Sequence, residues 1–286
     1  MTPQQLLGEW LGSRLPSDPL DWLWAQGELL TREPKPATLQ LLFSLVPRIT
    51  GKEPLGLEEA DRDAAKAARR NWDPGNITVD QASRLWLLLA LSVAEESFVA
   101  CLDQLFLTAD LSEQVLLYQA LPLYPYPHRH RLRAAEGLRS SIPLVFDAVA
   151  LRNPYPAEQL SEQAWNQMVL KALFLGSPLH PIVGLDERAN PRLASMLHDH
   201  AHERWAAGRS VSHELWRCVG PFLAGNRVAD LHRVLTSASP LERQAAALAL
   251  ASSADPRAAA LLGSVPTLSV AVASDAVSWQ SLAAVA

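Results

Sequence analysis

Apolar residues in this chain recur at the three-to-four-residue spacing of an α-helix rather than at the alternation of a strand. Leu85, Leu88, Leu89 and Ser92 fall on one helical stripe, and Leu102, Leu105 and Phe106 on another. Leu193, Leu197, Ala201 and Arg204/Trp205 form a third. Residues 79–120 contain no proline, which permits two or three long helices. Two short helices are predicted over residues 1–31, split at Pro16-Ser17-Asp18-Pro19, with Trp10, Trp22 and Trp24 as apolar anchors. A third runs from about 37 to 46 and stops at Pro47.

Boundary chemistry places more elements. Residues 58–70 read as a solvent-facing helix whose acids precede its bases, the order the helix dipole favours. Thr78 and Gln81 have the spacing of a capping box. Ser112 is read as the cap of a helix running to Leu121, and further helices are predicted near 128–139, 142–151 and 162–174. Tyr124-Pro125-Tyr126-Pro127 and Asn153-Pro154-Tyr155-Pro156 read as rigid loop corners, rings packed and hydroxyls on water. After an irregular stretch, 176–189, Asn190-Pro191 opens a helix that Gly208 ends. In residues 240–262 two short Ala/Leu helices turn at Asp255-Pro256, in the manner of a HEAT-type unit. The expected fold is all-α, either a helical repeat (HEAT-like α-solenoid) or an irregular multi-helix array. A helical domain over 1–235 is expected to continue into a C-terminal helical pair and tail over 236–286.

Composition agrees with that reading. Of 286 residues 50 are Leu and 43 Ala, while only 4 are Ile. Those side chains lose little rotamer freedom in helices, and an all-β chain would need more β-branched residues. The net charge of −5 argues against nucleic acid as a partner. The basic cluster Arg129-His130-Arg131 with Arg133 is short and sits beside Glu136, as a solvated face does. Cys101 and Cys218 are far apart and lack a CxxC partner, so a reducing compartment is expected. The longest apolar run, residues 85–94, is half of the roughly 20 residues a bilayer requires. With no basic start to resemble a signal peptide, the protein is expected to be soluble and cytoplasmic.

Common catalytic motifs are absent, and His202-Glu203 and His213-Glu214 each lack the second histidine of HExxH. His198 and His202 stand one helical turn apart, beside the parallel pair Asp199 and Glu203. Such a face can hold a divalent ion through two imidazoles and a carboxylate. The plainer reading is a polar outer face with His200 turned toward the Leu193/Leu197 stripe, so neither metal nor cofactor is assigned. A second concentration runs from Trp165-Asn166-Gln167 and Lys171 through Asp186, Arg188 and Asn190 to Glu203-Arg204-Trp205. Charged and amide groups beside large aromatics suit a small-molecule pocket. The plainer reading is ion pairs and caps that brace the 176–189 segment.

Several stretches resemble the EboA family of bacterial proteins. They are Asn153-Pro154-Tyr155-Pro156, Ala164-Trp165-Asn166-Gln167-Met168-Val169-Leu170-Lys171, Gly184-Leu185-Asp186, Arg188-Ala189-Asn190-Pro191 and Ala201-His202-Glu203-Arg204-Trp205. Leu117-Tyr118-Gln119-Ala120-Leu121-Pro122 and Arg133-Ala134-Ala135-Glu136-Gly137 are similar to the same family. The resemblance implies a place in a bacterial gene cluster for secondary-metabolite biosynthesis or traffic toward the periplasm. Its neighbours there would resemble a UbiA-type prenyltransferase, a TatD-like hydrolase and a sugar-phosphate-cyclase-like enzyme. It brings no catalytic residues.

The expected function is therefore accessory and non-catalytic: binding a small metabolite precursor, or partner enzymes of the same cluster, on a helical scaffold. The expected surface is Asn153, Tyr155, Trp165, Asn166, Lys171, Asp186, Arg188, His202, Glu203, Arg204 and Trp205. Lys171, Arg188 and Arg204 would meet an anionic group, and Trp165 and Trp205 would supply apolar faces. The rival expectation is an enzyme using His202 and Glu203 as an acid–base pair or as metal ligands.

Overall fold

The computed structural model describes residues 1–91, 93–225 and 227–285. Ser92 of the first stripe thus lies outside the described residues. Among the described residues the regular structure consists of eighteen α-helices and three short 3-10 turns, and the only bridge is an isolated one, Pro54 to Thr78. The fold is an all-α multi-helix array. It divides into two compact units, Met1–Gln159 and Leu160–Ala286.

The first unit comprises α1 (Pro3–Arg14), α2 (Ser17–Arg32), α3 (Pro36–Thr50), α4 (Glu59–Ala68) and α5 (Val79–Leu89). It continues with α6 (Glu95–Thr108), α7 (Leu111–Gln119), α8 (Arg131–Arg139), α9 (Pro143–Ala150) and α10 (Tyr155–Gln159). One continuous core joins them, from Leu7, Leu11 and Trp10 through Phe43, Leu88 and Phe98 to Tyr155. Each fully buried Leu or Phe of that core contributes about 1.5–3 kcal/mol. The capping box at Thr78 is present, with the Thr78 N–H donating to Gln81 Oε1 at 3.0 Å.

Three local expectations need correction. Helix α3 does not stop at Pro47 but runs on to Thr50. Pro47 cannot donate to the carbonyl four residues back, that of Phe43. The buried Arg84 does so instead, its Nε donating to Phe43 O at 2.9 Å. The cap of α7 is Asp110 rather than Ser112, its carboxylate accepting from the Glu113 N–H at 2.8 Å. The second Tyr-Pro corner folds into α10, and its hydroxyl is not on water: Tyr155 donates to Pro127 O at 2.5 Å. Likewise Tyr124 donates to Leu117 O at 2.9 Å.

The second unit comprises α11 (Glu162–Leu175), α12 (Pro191–Ala206), α13 (Leu215–Val219) and α14 (Arg227–Leu235). After these come α15 (Pro240–Ala251), α16 (Pro256–Gly263), α17 (Pro266–Ala273) and α18 (Trp279–Ala283). Helix α11 ends on Gly176, whose φ of +75° suits the left-handed cap that glycine adopts without strain. The 176–189 segment is irregular, and Asn190 then caps α12 by accepting from the Leu193 N–H at 2.9 Å. Helix α15 is central, touching α13, α14, α16, α17 and α18. Its buried alanines, Ala245, Ala246, Ala247 and Ala249, let neighbouring backbones come close. Among the described residues no single helix is long and apolar enough to cross a membrane. The pair α16 and α17 reaches that length and composition only together, bent by 113°.

The closest of those approaches is testable. A Cβ at Gly220 would lie 2.7 Å from Ala249 O and 2.8 Å from its Cα, both backbone atoms that cannot swing aside. At Gly263 the same atom would meet nothing within 4 Å. Gly220→Ala should lower stability by about 1–3 kcal/mol through overpacking, whereas Gly263→Ala should be neutral or slightly stabilising. Urea denaturation of the two variants checks this.

Candidate functional site

The residues expected to form one binding surface fall in different units. Asn153 and Tyr155 belong to the first, the other nine to the second. Asn153 is buried, and its amide nitrogen donates to Tyr118 O and Ala148 O, both at 3.0 Å, while its oxygen accepts from the Tyr155 N–H. It thereby ties the end of α7 to α9. In the second unit Trp165 and Asn166 are buried on α11. Arg188 stacks on the Trp165 ring at 4.7 Å, and Asn166 exchanges amide hydrogen bonds with the capping Asn190 at 2.9 and 3.2 Å. Asp186 accepts twice from Arg217, at 2.6 Å each, and Arg204 donates to Ser210 O at 2.8 Å. Lys171 is partly buried, which pulls its pKa below the usual lysine value. Glu203 is exposed. His202 meets Trp205 edge-on, ring centroids 5.3 Å apart. His200 is buried against Phe174, as the apolar stripe suggested.

A concave feature lies elsewhere. In the first unit a cavity of about 420 Å³ opens between α5, α7, α9 and the 72–77 loop, a size within the range of about 300–1,000 Å³ typical of small-molecule sites. Trp72, Ile77, Leu85, Leu116, Leu123 and Ala148 give it apolar walls. Its polar groups are Asp73, Asn76, Gln81, Gln119, Asp147 and Arg152, with Asn153 also lining it. The loop is fixed by Leu55 N–H to Ile77 O at 2.9 Å, by Arg62 Nη1 to Gly75 O at 3.2 Å, and by Gly75 N–H to Asp73 Oδ1 at 2.9 Å. Arg152, exposed at the rim, has a φ of +52°, a left-handed conformation that costs a non-glycine residue about 1 kcal/mol or more. Of the expected surface residues, Asn153 is in this lining. The Trp72–Asn76 turn is legible as a loop, but besides Gln81 and Leu85 of the nearby α5 the residues facing it come from stretches about 40 to 80 positions away.

Two of the walls depend on one buried side chain. Arg84 on α5 donates to Asp80 at 3.0 Å, to Glu113 at the start of α7 at 2.8 Å, and to Phe43 O in α3. A charged group at this depth is stable only with every donor engaged. Neither cysteine offers a thiolate: burial raises the Cys101 pKa and pushes Cys218 up to about 12.

The second unit also brings chemistry together. His198 Nε2 and His202 Nε2 on α12 lie 2.7 and 2.9 Å from the same oxygen, Asp230 Oδ2 on α14. Trp205 stacks on the buried Trp216 at 5.8 Å, and Arg233 covers Trp205 at 4.5 Å. The sequence had offered Asp199 and Glu203 as carboxylates for this histidine pair. Asp230 is 28 residues beyond His202, out of reach of any spacing rule.

A family model described as Metabolite traffic protein EboA matches residues 3–220. The chain belongs to the EboA family. The match covers the cavity in full and ends just before α14. No curated protein and no solved structure matches the chain. The cavity of this EboA chain rests on Arg84, which joins two of its walls. Arg84→Met strands two carboxylates and a carbonyl in the core and should cost about 3–5 kcal/mol, read as a drop in the urea midpoint. The 72–77 loop should then lose protection from hydrogen exchange along with α5 and α7.

Proposed function

We propose that this EboA protein is an accessory, non-catalytic component of a bacterial secondary-metabolite system, acting in the cytoplasm. It binds a small metabolite precursor in the first-unit cavity and presents it to enzymes encoded in the same cluster. The observation that carries the reading is the cavity itself: apolar walls end in a rim of Asp73, Asn76, Gln81, Gln119, Asp147 and Arg152. That lining suits an amphiphilic molecule, its apolar part against Trp72, Leu85 and Leu116 and a hydrogen-bonding head at the rim. The fixed 72–77 loop keeps the ordering cost of binding low. In this reading Trp165, Asn166, Asp186, Arg188 and Arg204 brace the 176–189 segment, and the metabolite is met by the cavity residues that Asn153 holds in place.

Leu144 lines the cavity and is 60 % exposed, so a larger side chain there narrows the mouth without entering the core. Native mass spectrometry of the chain purified from its own host should show a retained small molecule. Leu144→Trp should keep the fold and Tm but lose that adduct. A bare wild-type chain, or an adduct retained undiminished in Leu144→Trp, would overturn the proposal.

A further inference from the structure

His198 and His202 are one turn apart on α12 and point at α14, with their rings 4.6 Å apart. One donor atom from each, and one oxygen of Asp230, all lie within 4.8 Å of one another. Both Nε2 atoms already converge on Asp230 Oδ2 at hydrogen-bond distance. Two imidazole nitrogens and a carboxylate oxygen are the donor set of a borderline-soft dication, and a poor one for Mg²⁺ or Ca²⁺, which take oxygen ligands. We propose that His198, His202 and Asp230 bind one divalent transition-metal ion of the Zn²⁺ class, with an open fourth position toward solvent.

The geometry needs little adjustment. Donors about 2.0–2.1 Å from a tetrahedral ion stand roughly 3.3 Å apart, so the two contacts to Asp230 must open by about half an ångström. His202, with its side chain 50 % exposed, and Asp230, at 24 %, have room to do so, whereas His198, at 15 %, is the fixed ligand. On the other side of the His198 ring, Nδ1 lies 3.9 Å from Asp199 Oδ1, too far for a hydrogen bond, so the ring is held by its burial and by Asp230. Trp205, clamped between Trp216 and Arg233, walls one side next to His202. The exposed edge of His202 leaves the opposite side for water or a ligand, the arrangement of sites with three protein ligands. The ion would join α12, inside the family match, to α14, which lies beyond it. The site stands in the second unit and does not depend on the cavity reading.

The test uses the full chain, stripped with chelator and titrated with Co²⁺ while visible absorption is recorded, then with Zn²⁺ by calorimetry. The expected result is one equivalent of Co²⁺ with the intense bands of tetrahedral coordination, displaced by Zn²⁺ and not by Mg²⁺. Affinity should fall at least about tenfold in His202→Gln and in Asp230→Asn, both partly exposed positions whose variants should keep the wild-type circular dichroism. His180→Gln, which removes an imidazole paired with Glu214 instead, should bind as wild type does. Absence of stoichiometric Co²⁺ binding, or affinity unchanged in both variants, would refute the site.

Discussion

Helix α3 passes through Pro47 because a buried arginine takes up the carbonyl that the proline leaves open. Pro47 has no N–H to donate to Phe43 O, and Arg84 Nε donates to it at 2.9 Å. The other guanidinium nitrogens reach Asp80 and Glu113, so one side chain joins α3, α5 and α7. Each contact is worth having only because the others exist, since a half-satisfied charge in the core costs more than an apolar residue. The cavity inherits this constraint: Gln81 and Leu85 from α5 face Val115, Leu116 and Gln119 from α7 across it. Asn153 then ties α7 to α9, which supplies Leu144, Asp147 and Ala148. A buried polar network thus sets the shape of a space whose walls are apolar.

The second unit solves its packing differently. Around α15 the chain uses alanine and Gly220 so that helices meet nearly backbone to backbone. Around the irregular 176–189 segment it uses paired polar groups, Asn166 with Asn190 and Asp186 with Arg217, together with Arg188 on Trp165. Backbone without helical hydrogen bonds needs such partners to stay ordered. Tryptophan, asparagine and arginine, which replace the Ala/Leu background there, supply these contacts.

Legibility in the sequence followed the range of the interaction. The class was plain from the Leu and Ala content, and α12 was visible at both ends because Asn190, Pro191 and Gly208 act within a turn. The family resemblance over the middle of the chain held, since it rested on runs of residues rather than on contacts. What escaped were pairings between distant elements. Pro47 reads as a stop until Arg84, 37 positions on, takes the free carbonyl. Ser112 and Asp110 are both acceptable caps, and only Asp110 has Glu113 three residues after it to close the box. The pair His198 and His202 was evident, yet Asp230 was not, and the cavity lining is drawn from four separate stretches of chain. Unusual side chains in an Ala/Leu background are a signal that paired polar groups and ligand contacts share.

The central claim is that a preformed cavity in the first unit holds a metabolite. Hydrogen–deuterium exchange compares the chain as recovered from its host with the same chain after mild denaturation and refolding to strip bound molecules. The account predicts slower exchange in the host-derived sample over residues 72–77, 115–123 and 144–153, with the second unit unchanged. Identical exchange in the two samples, or protection confined to residues 160–285, would contradict it.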